Sequence, residues 1–144
     1  LGEALTEAET IGLPWNVRED QPKAKHLAKP ENRRTLMSWQ AIAGVRLLLL
    51  TGARLSEITQ LEWSHVDFAA GMIELPAVKG GKRKPRPVSA AALAVLKALP
   101  RAEKARFVLP RISDADKPLA REVMDVSWRR LRARAGLNDV RLHD

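Results

Sequence analysis

Between Leu36 and Thr51 the chain carries the pattern of a helix meant for the interior. Leu36, Trp39, Ile42, Ala43, Arg46, Leu47 and Leu50 recur at three and four, and Leu48 and Leu49 widen the stripe. A helix apolar over so much of its circumference has to be wrapped by the rest of the chain. Gly52 then supplies a residue suited to the left-handed conformation that closes helices. A second short helix is expected over Leu55 to Leu61, with Glu57 in its first turn, where the helix dipole favours negative charge. Arg54 therefore falls in a tight junction between two helices, held by packing.

The flanking segments follow from weaker signals. Leu5, Ala8, Ile11 and Leu13 share a helical face, and Gly12 suits its stop. Residues 15–34 are polar, carry Pro22 and Pro30 and lack apolar periodicity, as expected of a linker or extended arm. Met72 to Leu75 and Arg86 to Val88 are expected strands on either side of the turn-rich KGGKRKP segment, forming a hairpin. Ser89 should cap a helix over 90–99 that Pro100 ends. Phe107 to Leu109 reads as a brief extended piece. A last helix over about 119–135 sets Met124, Trp128, Leu131 and Ala135 on one stripe, with Gly136 at its end. Trp39, Trp63 and Trp128 read as core packing, and His65 as part of a surface connection. The expected fold class is α+β, mainly α with a small antiparallel sheet.

Composition narrows the chemistry. Lys and Arg number 25 against 17 Asp and Glu, a net charge of +8 in 144 residues, and the first partner to consider for such a chain is a polyanion. Cysteine is absent, which excludes disulfides and thiol chemistry, and His26, His65 and His143 are too scattered for a metal site. The GGK at 80–82 is no phosphate-binding P-loop, because Pro76 and Arg83 stand where that motif needs Gly and Ser or Thr. No apolar run approaches a membrane span and no signal peptide is visible, so the expected location is the cytoplasm. The cations cluster. Lys79, Lys82, Arg83, Lys84 and Arg86 share the hairpin with no acid among them, and Arg121, Arg129, Arg130, Arg132 and Arg134 follow one another along the last helix. Both clusters suit contact with the phosphates of double-stranded DNA.

Residues 47–92 resemble the tyrosine recombinase family, the phage integrases and their chromosomal relatives. The leucine run, TGARLSEI, LEWSHVDF, the basic hairpin and the following Pro-Val match the family's first arginine box and the sheet after it. RLHD at 141–144 looks like the opening of the second box, His-x-x-Arg. The resemblance implies a DNA breaking-rejoining catalytic fold that needs no cofactor or metal. It makes Arg54 the arginine that clamps the scissile phosphate and stabilises its pentacoordinate transition state. Lys79 becomes the lysine that protonates the departing 5′ oxygen, with Lys82 as competitor. His143 becomes the second-box histidine that hydrogen-bonds the phosphate. Glu57 matches a box carboxylate that positions its neighbours. Lys82, Arg83, Lys84, Arg86, Arg129 and Arg130 are the expected DNA contacts.

The same resemblance divides the chain. Residues 1–17 would end an N-terminal DNA-clamping domain, 18–34 would link, and 35–144 would begin the catalytic domain. The second arginine would fall two residues beyond Asp144, and tyrosine, the family's nucleophile, is absent. The expectation is therefore a truncated recombinase that cannot cut DNA by itself and is monomeric, whereas relatives act as homotetramers on paired sites. Two other readings fit the same basic surfaces: a non-catalytic DNA-binding module, and a type IB topoisomerase that relaxes supercoils.

Overall fold

The computed structural model describes residues 1–16, 28–76 and 82–142. In chain order these form α1 (Gly2–Thr10), β1 (Leu13–Pro14), a 3-10 turn (Pro30–Asn32), β2 (Arg34–Thr35), α2 (Trp39–Thr51) and α3 (Leu55–Thr59). A second 3-10 turn (Trp63–His65), β3 (Val66–Asp67), β4 (Met72–Leu75), β5 (Lys84–Pro87), α4 (Ala90–Ala98) and α5 (Arg121–Arg134) follow. The result is the expected mainly helical α+β domain.

Helix α2 is the axis of the core and touches α1, α3, α4 and α5. Residues 40–45 and Leu47 are buried along it. The helix begins at Trp39 rather than at Leu36, because Ser38 takes the extended conformation and its hydroxyl accepts the Ala41 N–H at 3.3 Å. Leu36 is left outside, 59% exposed. Gly44 lets α5 approach closely: a Cβ there would stand 2.8 Å from the sulfur of buried Met124. At the other end Gly52 adopts φ +60° and its N–H donates to the Leu48 carbonyl at 3.0 Å, the left-handed closure its position predicts.

Two small antiparallel sheets brace this bundle. The first pairs β1 with β2, Leu13 opposite Thr35 and Pro14 opposite Arg34. It gives structure to the far end of the stretch expected to be a linker. Gly12 makes the pairing possible, since at φ +83° a Cβ would lie 2.6 Å from the Thr35 carbonyl carbon. The second sheet runs β3-β4-β5, with Ile73 opposite Arg86 and Leu75 opposite Lys84. Its last strand is Lys84–Pro87 rather than the expected Arg86–Val88. A segment with two prolines can pair here because β5 is an edge strand, where a missing N–H leaves no partner unsatisfied.

Most of the remaining elements match their signals. Ser89 caps α4, its hydroxyl accepting the Ala92 N–H at 3.2 Å. Phe107 to Leu109 depart from theirs: Phe107 forms an isolated antiparallel bridge with Glu62 and Val108 N–H donates to Leu61 O at 2.9 Å, but the chain bends at Val108 and Leu109 instead of running extended. Trp63 and Trp128 are buried, and Trp39 packs against the core. Helix α1 shares that core through Ala4, Leu5 and Ala8. Its Glu7 carboxylate accepts hydrogen bonds from Arg34 on β2 and from Arg134 on α5. Among the described residues no helix is long and apolar enough to cross a membrane.

Candidate functional site

The junction between α2 and α3 is fixed from both sides. The Thr51 hydroxyl donates to Leu47 O at 2.6 Å and accepts the Ala53 N–H at 3.2 Å. Buried Glu57 reaches back and its Oε2 accepts the Arg54 N–H at 2.8 Å. The backbone of Arg54, extended at φ −74° and ψ 154°, is thus held directly by a carboxylate while its side chain faces solvent. Among the described residues no carboxylate pairs with that guanidinium.

Arg54 borders a pocket of about 470 Å³. One wall is α2 and the junction, through Val45, Leu48, Leu49, Gly52 and Ala53, and the other is Trp128 with Val140, Arg141 and Leu142. The second wall exists because the chain turns back after α5. Gly136, at φ +71°, begins the reversal. The Val140 carbonyl is then gripped by two donors one helical turn apart, the Trp128 indole N–H at 3.1 Å and the Arg132 guanidinium at 2.9 Å. Residues Arg141 and Leu142, which immediately precede His143, are thereby laid beside Arg54 although far from it in sequence. His143 lies outside the described residues.

The hairpin is placed differently. Lys79 lies outside the described residues, whereas Lys82, Arg83, Lys84 and Arg86 are all exposed. Arg83 Nη1 stands 2.7 Å from His65 Nδ1, so the imidazole ties down the base of the hairpin. Lys84 and Arg86 pair directly opposite Leu75 and Ile73 and share their face of the sheet, the face turned toward the core. No described residue of the hairpin lines the pocket of Arg54.

On α5 the expected basic face divides. Arg134 is bound to Glu7 at 2.6 Å, and Arg121 stands 3.6 Å from Asp125. The hydrogen bond from Arg134, together with that from Arg34, holds the Glu7 carboxyl below its ordinary range against the opposing effect of burial. Arg132 is spent on Val140. Arg129 and Arg130 remain exposed and line a second groove of about 750 Å³ with Leu13, Trp15 and Val126. They are not brought together with Arg54. Elsewhere Arg106 hydrogen-bonds Glu62 at 3.0 Å and lowers the titration of that carboxyl.

Two residues at the pocket escape a reading of the sequence. Arg141 stands inside RLHD, yet its value depends on where the returning chain lies. Arg132 looks like one more solvated arginine of a basic helix. The available signal was its i, i+4 spacing from Trp128, which aims both donors at one point.

A model of the phage integrase family matches residues 20–144. Among solved structures, the crystal structure of XerA recombinase superposes with a TM-score of 0.55 at 19% sequence identity. The match covers 69% of this chain and 37% of that one, a likeness in fold. No curated protein matches the chain.

Proposed function

The chain belongs to the phage integrase family, and from that premise we propose that it binds double-stranded DNA and carries the phosphate-gripping part of a centre for site-specific recombination. In that centre a tyrosine oxygen attacks the scissile phosphorus, the bond to the 5′ oxygen breaks, and the departing oxygen takes up a proton. The 3′-phosphotyrosine conserves the bond for rejoining without a cofactor.

Arg54 holds two nonbridging oxygens of the phosphate, for which its planar fork is suited, and stabilises the charge that builds in the transition state. Glu57 fixes the turn that presents it. Lys79, or Lys82 in its place, gives the proton to the leaving oxygen, and His143 hydrogen-bonds the phosphate. Lys82, Arg83, Lys84, Arg86, Arg129 and Arg130 contact the flanking backbone. The attacking hydroxyl is not within these residues, which contain no tyrosine. By themselves they bind DNA as a monomer without cutting it, and the tetramer on paired sites belongs to the full recombinase. Domain boundaries at 17/18 and 34/35 belong to this reading as divisions of the sequence, although α1 and β1 pack into the same core as α2 and α5.

The observation that supports it is the pocket itself. Two segments remote in sequence, the junction of Arg54 and the strap leading to His143, meet in one concavity whose lining, among the described residues, includes two arginines and no carboxylate. Binding of a labelled duplex, followed against salt, tests the reading. Arg54→Gln is expected to make the plot of log K against log salt shallower by about 0.9, the loss of one phosphate contact. An unchanged slope would remove Arg54 from the interface. A covalent protein–DNA adduct formed by the unaltered chain would overturn the claim that it does not cut.

A further inference from the structure

We propose that Arg141 is a second phosphate-binding arginine of the Arg54 pocket, and that Arg132 and Trp128 are positioning residues that hold it there. The proposal rests on the reading of that pocket as a DNA phosphate site and adds a residue to it. Arg141 is not the arginine of the His-x-x-Arg box, because it precedes His143 rather than following it.

The argument begins at the Val140 carbonyl. A carbonyl oxygen has two lone pairs, and here both are taken by side-chain donors of α5, the Trp128 indole at 3.1 Å and the Arg132 guanidinium at 2.9 Å. Trp128 is buried at 6% exposure, so its donor cannot wander. The bond from Arg132 is charge-assisted and correspondingly strong. A strap with no helix or strand of its own is thus pinned one residue before Arg141. Leu142, on the other side, packs against the core. Arg141 is held between two anchored neighbours, exposed and lining the pocket of Arg54.

The surroundings then select the ligand. The other lining residues are apolar, apart from Gly52 and the backbone. Among the described residues no carboxylate engages either Arg54 or Arg141. Two guanidiniums at one concavity, with no counter-charge among the described residues, repel each other, and an anion between them relieves that repulsion. A phosphodiester, planar-fork compatible and singly charged, is the anion the rest of the surface would deliver.

Fluorescence anisotropy with a short labelled duplex of arbitrary sequence, repeated across a salt series, separates the possibilities. Arg54→Gln is measured first. If it leaves the salt slope unchanged, the phosphate reading of the whole pocket fails. If Arg54→Gln flattens the slope and Arg141→Gln does not, the present proposal alone is overturned. The expected result is a flattening of about 0.9 for Arg141→Gln, one phosphate, as for Arg54. Arg132→Met should reproduce part of that loss while the thermal melt and the slope of a Lys104→Gln control stay as in the parent. In the Arg132→Met background, Arg141→Gln should do less than it does alone; full additivity would overturn the positioning role. Amide exchange at Val140, whose N–H donates to Leu137 O at 3.2 Å, gives a readout independent of DNA. It should quicken about ten-fold in Arg132→Met, as loss of one charge-assisted hydrogen bond implies, and an unchanged rate would contradict the clamp.

Discussion

Replacing Glu57 with alanine tests whether the turn under Arg54 is held by chemistry or merely by packing. The lost hydrogen bond joins a carboxylate to a backbone N–H at 2.8 Å, and bonds of that kind contribute about 1.5–3 kcal/mol. Loss of the buried Cγ adds about 0.8 kcal/mol, and release of a carboxylate from a site with 8% exposure offsets roughly 1 kcal/mol by returning desolvation energy. The net expectation is a destabilisation of about 2 kcal/mol. Unfolding entropy of roughly 2.1 cal/mol/K per residue over 144 residues comes to about 0.3 kcal/mol/K, so Tm should fall by about 6–7 °C. Glu57→Gln keeps an oxygen in place without the charge and should cost about half as much. Circular-dichroism melts, with urea titrations confirming an unchanged m value, supply the measurement. A Glu57→Ala protein that melts within about 1 °C of the parent would refute the idea that this carboxylate secures the turn.

Other outcomes follow from single features. Gly12→Ala should destabilise strongly, by about 3 kcal/mol or more on the scale of overpacking combined with backbone strain, because its Cβ would meet the β2 backbone at 2.6 Å; an unshifted urea midpoint would contradict the β1–β2 pairing. Gly52→Ala, with space around it but φ +60°, should cost only about 1 kcal/mol, read in the same titration. Acidification probes Glu7, whose titration is depressed chiefly by Arg134. A group lowered on folding stabilises the native state above its ordinary value near 4.5 and loses that contribution as pH falls through the depressed value. The parent should therefore lose stability more steeply than Glu7→Gln between pH 4.5 and the depressed value, and superimposable acid limbs would argue against the ion pair. Lys82→Gln and Lys84→Gln should each flatten the salt dependence of DNA binding by about 0.9, whereas unchanged slopes would leave the hairpin base merely solvated.

Local chemistry carried much of the fold into the sequence. Gly52, Ser89 and the Met124–Trp128–Leu131 stripe each act within a few residues, and each does in the structure what its spacing predicts. Errors arose where a stronger local or remote interaction intervened. Ser38 cut α2 short at its start because a hydroxyl cap outweighs one more exposed leucine. The β1–β2 pair joins two-residue strands across the polar stretch between them, too short for any alternation to be seen. The KPRP strand defies strand propensity and is permitted only by its edge position, a property of the sheet rather than of the segment. The site divides in the same way. Arg54 and Glu57 were legible because their relation is an i, i+3 contact at a helix start. Arg141 was not, since its place depends on the reversal after α5 and on two donors meeting at Val140. Nor could the sequence tell that Arg134 is occupied by Glu7 at the opposite end of the chain.

The arrangement around position 54 is tested most directly by a crystal structure of this chain bound to a short DNA duplex. The account expects a backbone phosphate seated in the Arg54–Arg141 pocket with its oxygens at charge-assisted hydrogen-bond distance, about 2.7–2.9 Å, from the Arg54 guanidinium. A duplex bound across some other face, with that guanidinium touching only solvent, would contradict it.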